Sequence, residues 1–174
     1  ELYTKPIGQD ITCPRDFELG CAYVDTLVGR DNVGRATALL SYSWGNRYFD
    51  ICDALMQWVT VREADARRAY IWICSLCLNQ HRIVQVLTPE ELTAEFGPRV
   101  TAIGRLIPLL DPWDAPMYVQ RAWCLFEMFT AISLGGKCKV DITLSPGEET
   151  RFKESMVNDG YSEFDKVLAK LSSK

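Results

Sequence analysis

The sequence predicts an α/β fold: a mostly parallel β-sheet covered by helices on both faces. Two observations carry that prediction. Short apolar runs of strand length recur along the chain, and amphipathic stretches of helical period alternate with them. A third is consistent with it: the apolar runs end in polar loops, where α/β proteins place their ligands.

Residues 1–35 read as an irregular N-terminal extension, broken by Pro6, Pro14, Gly20, Gly29 and Gly34, with Val24, Leu27 and Val28 expected to dock on the main body. The α/β domain is expected over residues 36–174. Residues 36–43 form the first predicted buried strand, ending in the turn Trp44-Gly45-Asn46. From Arg47 the period becomes helical, with Tyr48, Ile51, Cys52, Leu55, Met56 and Val59 on the apolar face. Residues 69–76 are continuously apolar, as strands covered on both faces are, and lead into the polar loop Asn79-Gln80-His81-Arg82. Residues 83–87 suit either strand or loop. Thr88-Pro89-Glu90-Glu91 is a capping box that starts a helix, which Gly97-Pro98 is expected to interrupt before it ends near Gly104.

A third strand is predicted over residues 105–110, with Pro108 pointing to an edge, bulge or strand end. The loop at residues 111–116 carries Asp111, Trp113 and Asp114. A helix is then predicted over 117–134, stopped by Gly135-Gly136. A fourth strand over 139–144 and helices over 147–157 and 162–171 complete the reading, the last with Phe164, Val167, Leu168 and Leu171 as its apolar stripe.

Composition bounds the function. The 174 residues are 48% hydrophobic and 24% charged, ordinary for one globular domain with a full core. A net charge of -4 argues against a nucleic-acid-binding surface. No apolar run reaches the ~18–20 residues that span a bilayer, and no signal peptide opens the chain, so no membrane partner is expected. The chain starts at Glu1, as a piece of a longer protein would. Seven scattered cysteines, mostly within apolar runs, suit a reducing, cytoplasmic setting better than a disulfide scaffold. Cys74, Cys77 and His81 raise a zinc hypothesis, but on a strand Cys74 and Cys77 point to opposite faces, and no fourth ligand is evident. Core packing is the preferred reading, and no metal or cofactor is expected.

The stretch 122–134 poses the chemical question. It is apolar almost all round, and Glu127 is its one carboxylate. Such a carboxylate costs several kcal/mol in desolvation unless something compensates it. Trp123, four residues earlier, shares its helical face. A rim Glu paired with an arginine such as Arg121 is the plain alternative. At the carboxyl edge of the sheet, Glu127 is expected to share a crevice with Trp44, Trp113, Trp123, Arg47 and Arg82. No glycine-rich phosphate loop of Rossmann or Walker type is present.

Leu39-Leu40-Ser41-Tyr42-Ser43-Trp44 resembles the first conserved box of Toll/interleukin-1 receptor (TIR) domains. Arg121-Ala122-Trp123-Cys124-Leu125-Phe126-Glu127-Met128 resembles the Ser-x-Trp-Cys-x-x-Glu-Leu helix of plant-type members, and its Trp-x-x-x-Glu spacing is similar to that of bacterial ones. The resemblance spans residues 36–144. It implies a flavodoxin-like three-layer sandwich, with NAD+ as substrate cleaved at the nicotinamide–ribose bond, and activity on self-association into homo-oligomers. Glu127 would be the catalytic glutamate and Trp123 its pocket neighbour. Ser43, Trp44 and Arg47 would lie on the first-box loop, and Asn79, Gln80 and His81 in the gating loop. Ser43 stands where plant members carry an arginine, so phosphate anchoring would fall to Arg47 or Arg82. The gating loop lacks the usual Gly or Pro, no fifth strand is evident after Leu144, and residues 1–35 have no counterpart.

One carboxylate suffices for that reaction. Ordinary glycoside hydrolysis needs a second acid to protonate the leaving oxygen. The pyridinium of NAD+ departs as neutral nicotinamide and needs none. A single carboxylate beside the ribose stabilises the oxocarbenium-like transition state electrostatically. Water as acceptor yields ADP-ribose, and an adenine nitrogen yields a cyclic isomer. Two other classes stay open: a catalytically silent TIR-like interaction module, and a nucleoside deoxyribosyltransferase-like enzyme using the same Glu as nucleophile.

Overall fold

The computed structural model describes residues 7–62, 65–82, 88–162, 165, 166 and 169. Four parallel strands form one sheet in the order β2-β1-β3-β4: β1 Ala38–Ser41, β2 Ile71–Trp72, β3 Arg105–Pro108 and β4 Lys139–Val140. Leu39 faces Trp72 on one side and Leu106 on the other, and Ser41 pairs with Pro108. The expected α/β architecture is the one observed.

Side chains alternate across the sheet, so each face has its own core. Ala38, Leu40, Ile107 and Leu109 pack beneath α1 (Tyr48–Val61). Leu39 and Leu106 point the other way, onto Val100 of α3 (Pro89–Ile103) and Ala131 of α4 (Ala122–Ser133). Because β1 lies between β2 and β3, the chain leaves its carboxyl end in one direction and returns beside it from the other. The two connections diverge there and open a crevice at the switch point.

Local chemistry accounts for most boundaries. Thr88 accepts from the Glu91 amide at 3.2 Å while the Glu91 carboxylate accepts from the Thr88 amide at 2.8 Å, which is the expected capping box. Gly104 ends α3 in the left-handed conformation, φ 68°. Pro108 closes β3 at its last position, where a missing amide matters least. The predicted helix at 147–157 is α5, Pro146–Asp159.

Several expectations need correction. Only Ile71–Trp72 of the second apolar run pairs in the sheet; Cys74–Cys77 coils into the short helix α2, with the Cys77 amide donating to the Ile73 carbonyl at 2.8 Å. Unbroken apolarity does not distinguish a strand from a buried helical turn. Cys74 and Cys77 therefore do not alternate as strand neighbours, and all seven cysteines are free thiols. Among the described residues no group of three His, Cys, Asp or Glu is placed to hold a metal ion. Pro98 does not break α3, which runs through it, anchored by its cap and by buried Phe96 and Val100. The predicted helix at 117–134 is two elements: a 3-10 helix, Met117–Gln120, then extended Arg121 (φ -114°, ψ 121°), then α4.

On α1 the buried side chains are Ile51, Ala54, Trp58 and Val59, whereas Tyr48 and Met56 face solvent. Trp58 turns the helix: its indole donates to Asp141 at 3.3 Å. In the N-terminal segment Cys21 and Ala22 are buried and Val24 and Leu27 half-buried, while Val28 is exposed, so docking reaches further back than expected and leaves Val28 out. Residues 83–87 and most of the helix expected over 162–171, with Phe164, Val167, Leu168 and Leu171, lie outside the described residues. Among the described residues no helix is long and apolar enough to cross a membrane.

Candidate active site

Strand β1 carries the site. It ends at Ser41, whose side chain is buried at the switch point because the strand's last residues are covered by α4 and the 3-10 helix. Glu127, on the second turn of α4, reaches the same place and is only 6% exposed. The Ser41 hydroxyl is hydrogen-bonded to a Glu127 carboxylate oxygen. Ser41 Oγ also lies 2.8 Å from the Tyr118 hydroxyl, which donates to the Cys124 carbonyl at 2.9 Å. Burial pushes the Glu127 carboxyl up to about 7, an effect the Ser41 hydroxyl partly offsets. Burial likewise raises Tyr118 and Cys74, and takes Cys124 to about 12.

Above this acid stands an aromatic wall. Trp123, one turn before Glu127, meets Trp44 of the β1 loop with ring centroids 6.3 Å apart at 41°. Arg121 stacks its guanidinium 5.0 Å from both ring centres. The ion pair between Arg121 and Glu127, the plain alternative reading of this carboxylate, does not form: the cation is held by the two indoles, and among the described residues no cation bonds to the carboxylate. The break at Arg121 makes this possible, because a continuous helix from 117 would carry Tyr118 and Arg121 away from these partners.

A cleft of about 360 Å³ opens at the carboxyl edge beside this group, lined among others by Asn46, Arg47, Asp50, Asp111, Met117 and Glu148. Glu127, Trp44 and Trp123 do not line it. Gly45 lies close to Met117: a Cβ there would lie 2.8 Å from the methionine sulfur, so that side chain would have to shift. Asp111 is buried, accepts from the Ser145 amide at 3.0 Å, and is raised above the usual carboxylate range by desolvation.

The remaining residues singled out from the sequence divide by location. Ser43 is buried and shapes the loop, its amide donating to Asn46 Oδ1 at 3.0 Å. Arg47 stands exposed at the N-cap position of α1 and pairs with Asp50 at 2.8 Å. Trp113 stacks edge-on against Phe152 at 5.3 Å, on the α5 side of the cleft. Arg82 is committed to the N-terminal segment: it pairs with Asp16 at 2.6 Å and donates to the Leu19 carbonyl at 3.2 Å and the Gly20 carbonyl at 2.6 Å. Asn79 donates to the Gly20 carbonyl at 2.8 Å, and His81 Nε2 lies 3.3 Å from the Ile7 carbonyl. Gln80 turns back on α2, donating to the Cys74 carbonyl at 3.1 Å.

The fold thus brings Glu127, Trp123 and Trp44 together and leaves Arg82, Trp113 and the 79–81 loop with other partners. Sequence reasoning missed Tyr118 and the role of Ser41. Ser41 carried a readable signal, a hydroxyl at the end of a wholly apolar strand; Tyr118 carried none, because helical spacing gave no reason to turn it inward. Comparisons with family models, with curated proteins and with solved structures give no match.

Proposed function

We propose that the chain is a TIR-type NAD+ glycohydrolase, with Glu127 as its catalytic carboxylate. One observation carries the reading: a single acid, almost wholly buried at the switch point of a parallel sheet, stands beside a pair of indoles. The strand order β2-β1-β3-β4 supports it as well, being that of the flavodoxin-like arrangement.

In the proposed reaction the C1′–N bond breaks and its electron pair leaves with neutral nicotinamide. The ribose becomes oxocarbenium-like, and the ionised Glu127 stabilises that charge in a water-poor setting. Water adds at C1′ and loses a proton, giving ADP-ribose; attack by an adenine nitrogen gives a cyclic isomer. Trp44 and Trp123 present faces for a base to stack on once Arg121 swings aside. Self-association and a cytoplasmic setting in immune or cell-death signalling belong to the same proposal.

A silent interaction module is the second reading, favoured by the occupied hydrogen bond of Glu127 and by the exposed stripe Leu125, Phe129 and Ile132 on α4. The test is concentrated or bead-clustered protein incubated with NAD+, with nicotinamide release followed for wild type, Glu127→Gln and Glu127→Ala. Release that both substitutions abolish is expected. Release surviving both overturns the assignment of Glu127, and none from clustered wild type selects the interaction module. Preference for a nucleoside selects a deoxyribosyltransferase-like enzyme.

A further inference from the structure

Three oxygen–oxygen contacts link Glu127 to the Cys124 carbonyl: carboxyl to Ser41 Oγ, Ser41 Oγ to Tyr118 Oη, and Tyr118 Oη to the carbonyl oxygen. Each contact needs one proton between its two oxygens. The far end is a carbonyl, which only accepts, so Tyr118 spends its proton there. Ser41 then has one proton for two contacts. If it donates to an ionised Glu127, its 2.8 Å contact with Tyr118 holds two oxygens face to face with no proton between them. If it donates to Tyr118, Glu127 must supply the third proton. Only the second arrangement satisfies all three contacts; the first leaves two buried oxygens in contact with no proton between them.

We propose that Ser41 and Tyr118 are positioning residues that hold Glu127 as the neutral acid in the free protein, through a directed chain Glu127 → Ser41 → Tyr118 → Cys124 carbonyl. Glu127 becomes a carboxylate when its proton leaves to solvent and Ser41 turns to donate toward it. Resting on the glycohydrolase reading, this makes the free protein a stored, inactive form, in which one proton is released for each site activated.

The surroundings fit. Of the elements packed around Glu127, β1 contributes the Ser41 hydroxyl, α2 the Cys74 thiol, the 3-10 helix Tyr118, and α4 itself Cys124. Burial keeps the two thiols and the phenol protonated, so none offers a countercharge. Arg121, at the N-cap of α4, is stacked on the indoles.

The two hydroxyls have opposite predicted effects, which packing alone does not produce. Tyr118→Phe removes one oxygen and keeps the ring; Ser41 is then free to donate to a carboxylate, and the Glu127 midpoint falls by about one unit. Ser41→Ala removes the one donor available to the carboxylate, and the midpoint does not fall. The experiment is an infrared titration of the carboxyl in the full chain without substrate, with Glu127→Gln subtracted, alongside the pH profile of nicotinamide release. A wild-type midpoint near 7 that only Tyr118→Phe lowers supports the chain. A wild-type midpoint in the ordinary range of about 4–5 overturns it, and so does a Tyr118→Phe titration that does not move. The wild-type titration needs only the near-isosteric Glu127→Gln reference to fold. Should the infrared result hold while no condition releases nicotinamide, the proton chain stands and the glycohydrolase reading falls.

Discussion

Trp44 and Trp123, from a loop and a helix 79 residues apart in sequence, meet with ring centroids 6.3 Å apart, and the guanidinium of Arg121 rests on both. The pair roofs the only carboxylate of α4. On the proposed function a planar aromatic ligand would compete with Arg121 for the same faces. Base–aromatic stacking contributes about 1–3 kcal/mol per ring, so Trp123→Ala is expected to weaken NAD+ use by roughly 5- to 150-fold in kcat/KM. Steady-state nicotinamide release measures it, and an unchanged kcat/KM removes Trp123 from the site.

Arg121→Ala separates the cation from the rings. The stack is half-exposed, so its loss is expected to cost about 0.5–1 kcal/mol of stability, read from urea unfolding. The vacated indole faces are expected to bind nicotinamide more tightly than in wild type, with tryptophan fluorescence as the readout. Weaker binding would make Arg121 part of the ligand site and not a competitor for it.

The raised pKa of Glu127 predicts how stability depends on pH. The folded-state value is about 7 against an ordinary 4.5, so between those two values the native state binds more protons than the unfolded chain. Stability from this group is therefore full below pH 4.5 and declines as pH rises through 7. The total change is on the order of 3 kcal/mol, taking each unit as about 1.4 kcal/mol. Glu127→Gln cannot ionise, and is expected to be more stable than wild type at alkaline pH with the gap closing in acid. Urea midpoints across that range check the sign; parallel curves would show that Glu127 titrates normally.

Arg82 ties the loop after α2 to the N-terminal segment, and its side chain bonding holds the Asp16 carboxyl down at about 2. Arg82→Ala is expected to return Asp16 to the usual carboxylate range and to raise amide exchange at Gly20 and His81 together. Asp16 titrated by NMR reads the first effect and exchange mass spectrometry the second. Unchanged exchange at either position would mean that the other contacts, Asn79 to Gly20 among them, suffice.

Core and surface are expected to respond differently to truncation. Leu106, on the central strand β3, is fully buried, so Leu106→Ala is expected to cost about 2–5 kcal/mol. Phe129 is 69% exposed on α4, and Phe129→Ala is expected to fall within about 0.5 kcal/mol of wild type. A larger loss at Phe129 that grows with protein concentration would reveal association through that face.

By itself the sequence determined the layered α/β plan, the order of its elements and the one carboxylate that stands out on α4. Apolar runs such as 38–41 and 105–108 must be covered on both faces, and a lone Glu among apolar neighbours is visible without coordinates. Local signals also determined the capping box at Thr88 and the stop at Gly104. Tertiary structure decided what hydrophobicity leaves degenerate. It coiled Cys74–Cys77 out of an apparent strand and broke the helix at Arg121. It gave Arg82 to the N-terminal segment and Arg121 to two indoles instead of to Glu127. The physical reason is common to these cases. Burial is paid for by whichever partner packing brings within hydrogen-bonding or stacking distance, and Ser41, Tyr118 and Glu127 find one another across 86 residues of chain, where sequence period carries no information.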